Sequence, residues 1–373
     1  MRAVAIVPGS GKPEIIDAPQ PTVQQPGQAL VKIVRVGVCG TDRELVAGEI
    51  GEAPPEQKRL VIGHEMLGRI ESLGSGAAGL KAGELVVATV RRGCGRCPSC
   101  QLGDVDFCAT GGYVEHGIKQ LDGFMAEYVV DDARFLVPVP EELEAVGVLL
   151  EPLSVGEKAL EQCLAILRRL PVPPGQVDLA WDGAWAKGLR ALVAGSGPIG
   201  MLGAMILRAH GAEVIVADRS PDDTTAAGLI RRIGAQHLNS KGMAPDKIAK
   251  DLGPIDLIFE ATGAAAFSWG LIDALGANGV CVLTGIPGGD KREELPAAAL
   301  MRRLVLNNQA IVGSVNASRR SFERGVGDLA RFRELWGDAV DQLITERVPL
   351  EKFLEAIDPP GAGGIKSVVE LGG

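Results

Sequence analysis

The sequence holds no run approaching the roughly 18 consecutive apolar residues that a membrane-spanning helix needs. Its opening, MRAVAIVPGSGKPE, has no basic region followed by a long apolar stretch. A soluble, cytoplasmic protein without a membrane partner is therefore expected. Surplus positive charge is lacking too: 38 Lys and Arg stand against 47 Asp and Glu, a formal net charge of −9. That excludes nucleic acid as the expected partner, because phosphate binding needs clustered cations to displace counterions. Internal repeats of roughly 20 to 50 residues and low-complexity tracts are also absent, so neither a solenoid nor an array is expected.

What is present is the composition of an ordinary globular protein, 46% hydrophobic and 23% charged, which argues against extensive disorder. At 373 residues the chain exceeds the size at which one core stops growing, and two domains are expected. The first third reads as short strands punctuated by glycine, in ALVKIVRVGVCG, HEMLGRIESLG, ELVVATV and GFMAEYVVDD, the pattern of a small β-rich barrel. Ser154-Val-Gly-Glu157 resembles a capping box opening a helix with apolar positions Val155, Ala159, Leu160, Cys163, Leu164 and Leu167. The stretch 171–190, rich in proline and glycine, is expected to wrap over the surface and to end near the first domain boundary. From Arg190 buried strands alternate with helices, which implies parallel strands with crossover helices in a doubly wound α/β sheet. After Val315-Asn316 the sequence turns helical and charged, and its last segment, IKSVVELGG, is expected to return to the first domain.

Seven cysteines are unevenly spread. Cys94, Cys97, Cys100 and Cys108 crowd one segment, whereas Cys39, Cys163 and Cys281 stand apart. Disulfides among the first three would close very small loops in a reducing compartment, so metal is favoured. Four thiolates suit tetrahedral zinc with no open position, a structural site, and the segment of roughly 91–112 needs such a staple because it has no apolar periodicity. Free or redox thiols are the bland alternative, and an iron–sulfur cluster is the better rival, although the spacing differs from the common ferredoxin run. Cys163 and Cys281 read as small core residues.

A second constellation comprises Cys39 in GVCGTD, His64 and Glu65 in GHE, and Glu151 in LEP. Each alone is more simply a packed thiol, a hydrogen-bonded imidazole or a solvated carboxylate. Together they offer one soft sulfur, one imidazole and two carboxylates, a set compatible with catalytic zinc that keeps a position open. Thr41 and Asp42 follow the cysteine, where a hydroxyl can relay a proton and a carboxylate can orient a ligand.

Gly195-Ser-Gly197-Pro198-Ile199-Gly200 follows the apolar strand ALVA and opens an amphipathic helix ending near Gly211. In that context Gly195 permits the tight turn, Gly197 the approach of a pyrophosphate, and Gly200 close packing of helix on strand. The helix N-terminus adds free N–H groups and a favourable dipole. A bare glycine triplet is weak evidence, but Asp218 ends the next strand where an acidic side chain accepts hydrogen bonds from an adenosine ribose. Its charge favours NAD, while Arg219 beside it is able to pair with the 2′-phosphate of NADP.

VCGTD, GHE, CGRCPSC with Cys108, EPLSV and GSGPIG occur in the order found in zinc-dependent medium-chain dehydrogenases. The longer stretches GTDRELVAG, GGYVEHGIKQLDGFMAEYVV, EPLSVGEKAL and NNQAIVGSVNASRRSFE resemble the glucose 1-dehydrogenases best known from archaea, over nearly the whole chain. The resemblance implies a Rossmann dinucleotide-binding domain at 189–316 and a β-rich, GroES-like catalytic domain at 1–188 and 317–373. It implies Cys39, His64 and Glu65 as ligands of catalytic zinc, Glu151 as a direct or water-mediated partner, and structural zinc on the four-cysteine lobe. Glu115 is implied to hydrogen-bond sugar hydroxyls, with Glu151 and Asn316 framing the same pocket near the nicotinamide. His116 is expected to be an exposed loop histidine rather than a ligand. Leu306 stands where a relative has a polar group near the substrate, so an aldose is implied more firmly than glucose. The implied reaction is oxidation of the C1 hydroxyl of a cyclic aldose to the lactone, in a homotetramer. A polyol, secondary-alcohol or threonine dehydrogenase is the nearest alternative, set apart by Glu115, which an apolar alcohol would leave unpaired. A non-catalytic nicotinamide-binding redox sensor is the alternative of another class.

Overall fold

The β-branched, largely apolar run Gln28–Val38 forms the strand around which the first part of the molecule is built. The computed structural model describes residues 1–77, 79–170, 183–289, 292–359 and 364–372. Residues 171–182 of the stretch expected to cross the surface lie outside them. The chain divides into two compact units. The first comprises Met1–Ser154, Asn316–Ala330 and Val340–Gly373, and the second Val155–Val315 and Arg331–Ala339.

In the first unit Gln28–Val38 pairs antiparallel with Glu65–Leu73, Tyr128–Asp132 and Lys366–Glu370. They belong to a seven-stranded sheet. Lys366–Glu370 also pairs in parallel with Ile344–Pro349. Val31, Ile33, Val36, Met66, Ile70, Phe124, Leu136 and Val369 share the core beneath it. Burying such side chains contributes roughly 1.5–3 kcal/mol each, less the entropy of ordering them.

The second unit contains a six-stranded parallel sheet in the spatial order Gln236–Asn239, Glu213–Asp218, Arg190–Ala194, Ile255–Glu260, Leu275–Leu283 and Ala310–Gly313. This is the doubly wound order whose direction reverses beside the first strand, where such sheets bind dinucleotides. Leu192, Ile215, Ile258, Leu271 and Cys281 pack on one face of it, and Cys163 is buried as well.

One local expectation is corrected. Ser154 does not cap a helix. The helix runs Leu150–Leu167 and is entered from a 3-10 turn, Gly147–Leu149, so Ser154 lies inside it and donates its hydroxyl to the Glu151 carbonyl at 2.6 Å. The S-x-x-E pattern misleads because Pro152 sits in the first turn, where its missing N–H has no partner to lose. The division between the two compact units falls inside this helix.

Candidate functional site

Cys39 follows the central strand directly and stands at the N-terminus of the helix Gly40–Ala47. Its backbone N–H donates to Asp42 Oδ2 at 2.9 Å, and Asp42 is wholly buried, so the cysteine is fixed from its own helix. His64 and Glu65 open the neighbouring strand, whose register sets Glu65 opposite Gly37. At Gly37 a Cβ would collide with Glu65 Oε2, which is why the position takes no side chain. Cys39 Sγ and His64 Nε2 lie 3.4 Å apart, and the sulfur, an imidazole nitrogen and a Glu65 carboxylate oxygen all fall within 4.8 Å of one another.

The electrostatics of this trio ask for a cation. Burial alone would lower the His64 pKa, yet the Cys39 sulfur foremost, with Asp42 and Glu151, holds it well above the ordinary imidazole value. A positive charge is thus stabilised at a buried point bordered by sulfur, nitrogen and oxygen donors, a mixture that suits zinc. His64 Nδ1 is buried with no hydrogen-bond partner among the described residues. Glu151, in the first turn of its helix, lies outside the tight trio. Its carboxyl is pushed up to about 7 by burial first and then by Glu65, against the opposing pull of His64 and Lys366.

Lys366 completes the charge pattern. Its wholly buried ammonium pairs with Glu65 Oε2 and donates to the Val38 carbonyl at 3.0 Å. Burial would lower its pKa, but Glu65, Cys39 and Glu151 raise it above the usual lysine value.

Glu115 lies on the short strand Val114–His116. Three donors converge on its Oε1: Arg91 Nε at 3.1 Å, Arg91 Nη2 at 3.0 Å and Asn316 Nδ2 at 2.9 Å. Arg91 is held in turn by the Asp106 carbonyl at 2.9 Å and lies over the Tyr113 ring. Asn316 has φ +60°, a left-handed backbone that non-glycine residues adopt at a cost, and its side-chain oxygen accepts from the Ala317 N–H at 2.8 Å. His116 departs from expectation. It is buried rather than exposed, stacked on Phe124, with Nδ1 donating to the Asp122 carbonyl at 2.6 Å and Nε2 at 3.6 Å from Asp131 Oδ2. The strand carries it inward, where the ring shares an apolar wall.

The sulfurs of Cys94, Cys97, Cys100 and Cys108 also lie within 4.8 Å of one another. A Cβ at Gly93 would collide with Cys100 Sγ, and Gly95 turns the chain at φ +69°. The thiols resist being ionised together. Cys94 is lowered to about 5 by the Thr110 hydroxyl and by the Arg96 and Cys97 N–H groups, whereas Cys100 is raised to about 12 by burial and the neighbouring sulfurs. Thr110 and backbone N–H groups lower Cys108 to about 7. Four thiolates so close need a cation among them.

In the second unit Gly195 turns the chain at φ +104° after Arg190–Ala194, and Gly197 caps the helix Pro198–Ala209 without a side-chain cap. A Cβ at Gly200 would collide with the Gly195 carbonyl, while one at Gly197 would meet nothing within 4 Å. The second and third glycines therefore have different reasons: close packing at Gly200, open space beside free N–H groups at Gly197. Asp218 ends its strand and is buried. Its Oδ1 accepts from the Ser220 N–H at 3.0 Å, and Oδ2 accepts from the Ser196 hydroxyl.

With this geometry in view, likeness to known proteins decides the family. A family model described as glucose dehydrogenase C-terminus matches residues 144–371, and one described as alcohol dehydrogenase GroES-like domain matches residues 25–141. The glucose 1-dehydrogenase of Methanocella arvoryzae is 38% identical over 100% of both chains. That of Thermoproteus tenax is 39% identical over 95% of each. The chain belongs to the glucose dehydrogenase family of medium-chain dehydrogenases. Among solved structures of this family, glucose dehydrogenase from Haloferax mediterranei, in complex with NADP, Zn and gluconolactone, superimposes with a TM-score of 0.86 at 31% identity, covering 99% of each chain. Both parts of the expected architecture, the parallel Rossmann sheet and the GroES-like domain, are those of this family.

Against this family background, the residues singled out by sequence fall into place unevenly. Cys39, His64 and Glu65 come together, as do the four cysteines, and Glu115 meets Asn316. Thr41 is half-buried in the first turn of the helix after Cys39. Arg219 is exposed beside Asp218, and Leu306 ends the helix Ala297–Leu306 with its side chain largely in solvent. Sequence alone does not single out Lys366, Arg91 or His237, the last of which stands 3.0 Å from Asp218 Oδ1. A lysine inside the apolar strand KSVVE was the available signal for the first. The other two carry none, because their partners are distant in sequence or belong to another strand.

Proposed function

We propose that this dehydrogenase oxidises the C1 hydroxyl of a cyclic aldose, glucose first because its relatives are glucose 1-dehydrogenases, to the lactone with reduction of a nicotinamide. The observation that carries this reading is the buried trio of Cys39, His64 and Glu65, whose surroundings stabilise positive charge. These residues would hold a catalytic zinc, with Glu151 as direct or water-mediated partner, and Cys94, Cys97, Cys100 and Cys108 a structural one. The catalytic ion, when bound, supplies Lewis acidity that lowers the pKa of the substrate hydroxyl. Glu115, braced by Arg91, and Asn316 bind sugar hydroxyls, and Glu151 borders the same pocket. The Thr41 hydroxyl passes the released proton toward solvent.

The first unit is read as the catalytic zinc-binding domain and the second as the dinucleotide-binding domain. The N–H groups at Gly195, Gly197, Pro198, Ile199 and Gly200 that are available, proline having none, receive the pyrophosphate, and Asp218 the adenosine ribose. NAD is favoured by the Asp218 charge, and NADP is admitted with Arg219 as a partner. Asn316 is also assigned to the nicotinamide side of the pocket. A homotetramer is inferred. Its support is the apolar face of Ala297–Leu306, where Met301, Val305 and Leu306 are 69%, 67% and 72% exposed, and the sheet-edge strand Ala310–Gly313. A cytoplasmic location is inferred as well; among the described residues no helix is long and apolar enough to cross a membrane.

The test is a steady-state assay of zinc-loaded protein on a panel of aldoses, polyols and aliphatic alcohols with both cofactors, alongside metal analysis. Two zinc ions per chain and turnover of aldoses are expected, with Glu115→Gln raising KM for the sugar at least about tenfold. Preference for a small aliphatic alcohol over every aldose would reject the substrate assignment. Cofactor binding without turnover of any compound would reject the enzyme.

A further inference from the structure

His237 lies on Gln236–Asn239, the strand that runs parallel to Glu213–Asp218 at one edge of the sheet. Its side chain is only 2% exposed and stands between two carboxylates, with Nε2 3.0 Å from Asp218 Oδ1 and Nδ1 2.7 Å from Asp222 Oδ1. A neutral imidazole has one N–H and is able to donate to one of them. Two hydrogen bonds at these lengths need two donors, which is the imidazolium form. The other charged groups around the pair lie elsewhere. Arg231, on the helix Thr225–Arg232, donates to the Asp222 carbonyl at 2.7 Å, and Arg219 and Lys241 are exposed beside the ends of the two strands. Asp222 itself is 75% exposed, whereas Asp218 is buried and holds Ser196 and Ser220 as well. Among the described residues, His237 is thus the buried cationic group in contact with the Asp218 carboxylate.

On the reading that Asp218 receives the adenosine ribose, we propose that His237 is a specificity-determining residue for the cofactor: clamped between Asp218 and Asp222, its imidazolium offsets the Asp218 charge and admits a 2′-phosphate that the carboxylate alone would repel. The 2′-hydroxyl of NAD carries no charge, so NAD binding depends on the orientation of Asp218 and little on the offset. Without that imidazole the Asp218 carboxylate faces the 2′-position with its full charge. NADP is then disfavoured while NAD is largely retained. Asp222 acts through His237 as its outer partner.

The experiment is calorimetric titration of the zinc-loaded enzyme with NAD and with NADP at one fixed pH, on wild type, His237→Gln, Asp222→Asn and Asp218→Asn. The affinity ratio of NADP to NAD is expected to fall at least about tenfold in His237→Gln. The ionisation of the 2′-phosphate is common to wild type and variant and sets the baseline. Asp222→Asn, altered at an exposed carboxylate, is expected to shift the ratio in the same direction by a smaller factor. Equal weakening of both cofactors by His237→Gln, or an unchanged ratio, overturns the proposal, since a purely structural histidine would do no more. If Asp218→Asn changes the ratio and His237→Gln does not, the ribose assignment stands and the histidine assignment falls. If Asp218→Asn changes nothing, both fall.

Discussion

A lysine ammonium enclosed by protein is tolerable only while its partner stays ionised, and Lys366 meets Glu65 in that way. Replacing it with methionine leaves a buried carboxylate without its counter-charge. We expect Lys366→Met to lower the stability of the metal-free protein by about 3–5 kcal/mol, read by urea unfolding, and Glu65→Gln added to it to restore most of the loss. No recovery in the double variant would show that packing of the lysine stem, and not its charge, matters. Asp131 poses a related test. Burial would raise its pKa, but Arg92 and His116 hold it below the usual carboxylate value. A folded-state pKa below the unfolded one means that this stabilisation is complete above the unfolded value and is lost as the pH falls through the folded value. The melting temperature of wild type should therefore drop more steeply below about pH 4 than that of Asp131→Asn, which is less stable at neutral pH but flatter in acid. At this scale the meeting of Cys39 and His64 was legible because sulfur and imidazole are scarce and chemically pointed. Lys366 and His237 were not, since a common charged residue gains meaning only from the groups that enclose it.

At the scale of the element, the glycine turn offers two substitutions with opposite signatures. Gly200→Ala would push a Cβ against the Gly195 carbonyl, so we expect loss of about 1–3 kcal/mol in the enzyme without cofactor. Gly197→Ala meets nothing within 4 Å and has an ordinary φ of −68°. Its melting temperature without cofactor should change little, while dinucleotide affinity drops at least about tenfold because the methyl enters the space left for ligand. Calorimetry with and without NAD separates them, and a destabilised Gly197→Ala would mean that the turn itself, not the ligand, requires the glycine. The strand–turn–helix around this segment could be read from sequence because apolar period and turn residues agree. From sequence the helix at Leu150 opens late, because an apparent capping box at Ser154 outranks a proline that belongs to the first turn. His116 reads as a surface residue from sequence because a three-residue strand leaves no period from which facing can be judged.

For the whole molecule, the alternation of strands and helices was enough to read the doubly wound sheet, since each segment buries one predictable face. Assembly is where one chain's pattern falls short: an apolar helix without buried residues has the same sequence whether another copy covers it or not. Sedimentation of wild type should give a tetramer, and Met301→Glu with Val305→Glu should shift it to smaller species by placing like charges on that face. A monomeric wild type would reject the inferred assembly. The position of Lys366 has a further consequence for how the protein is made. The ammonium that balances Glu65 is contributed 328 residues after the carbonyl it also holds at Val38. While the ribosome is still translating the middle of the message, the early sulfur, imidazole and carboxylate exist without that balance. The donor pocket therefore matures late in synthesis, and an amino-terminal fragment cut to carry Cys39, His64 and Glu65 alone should make a poor minimal zinc protein.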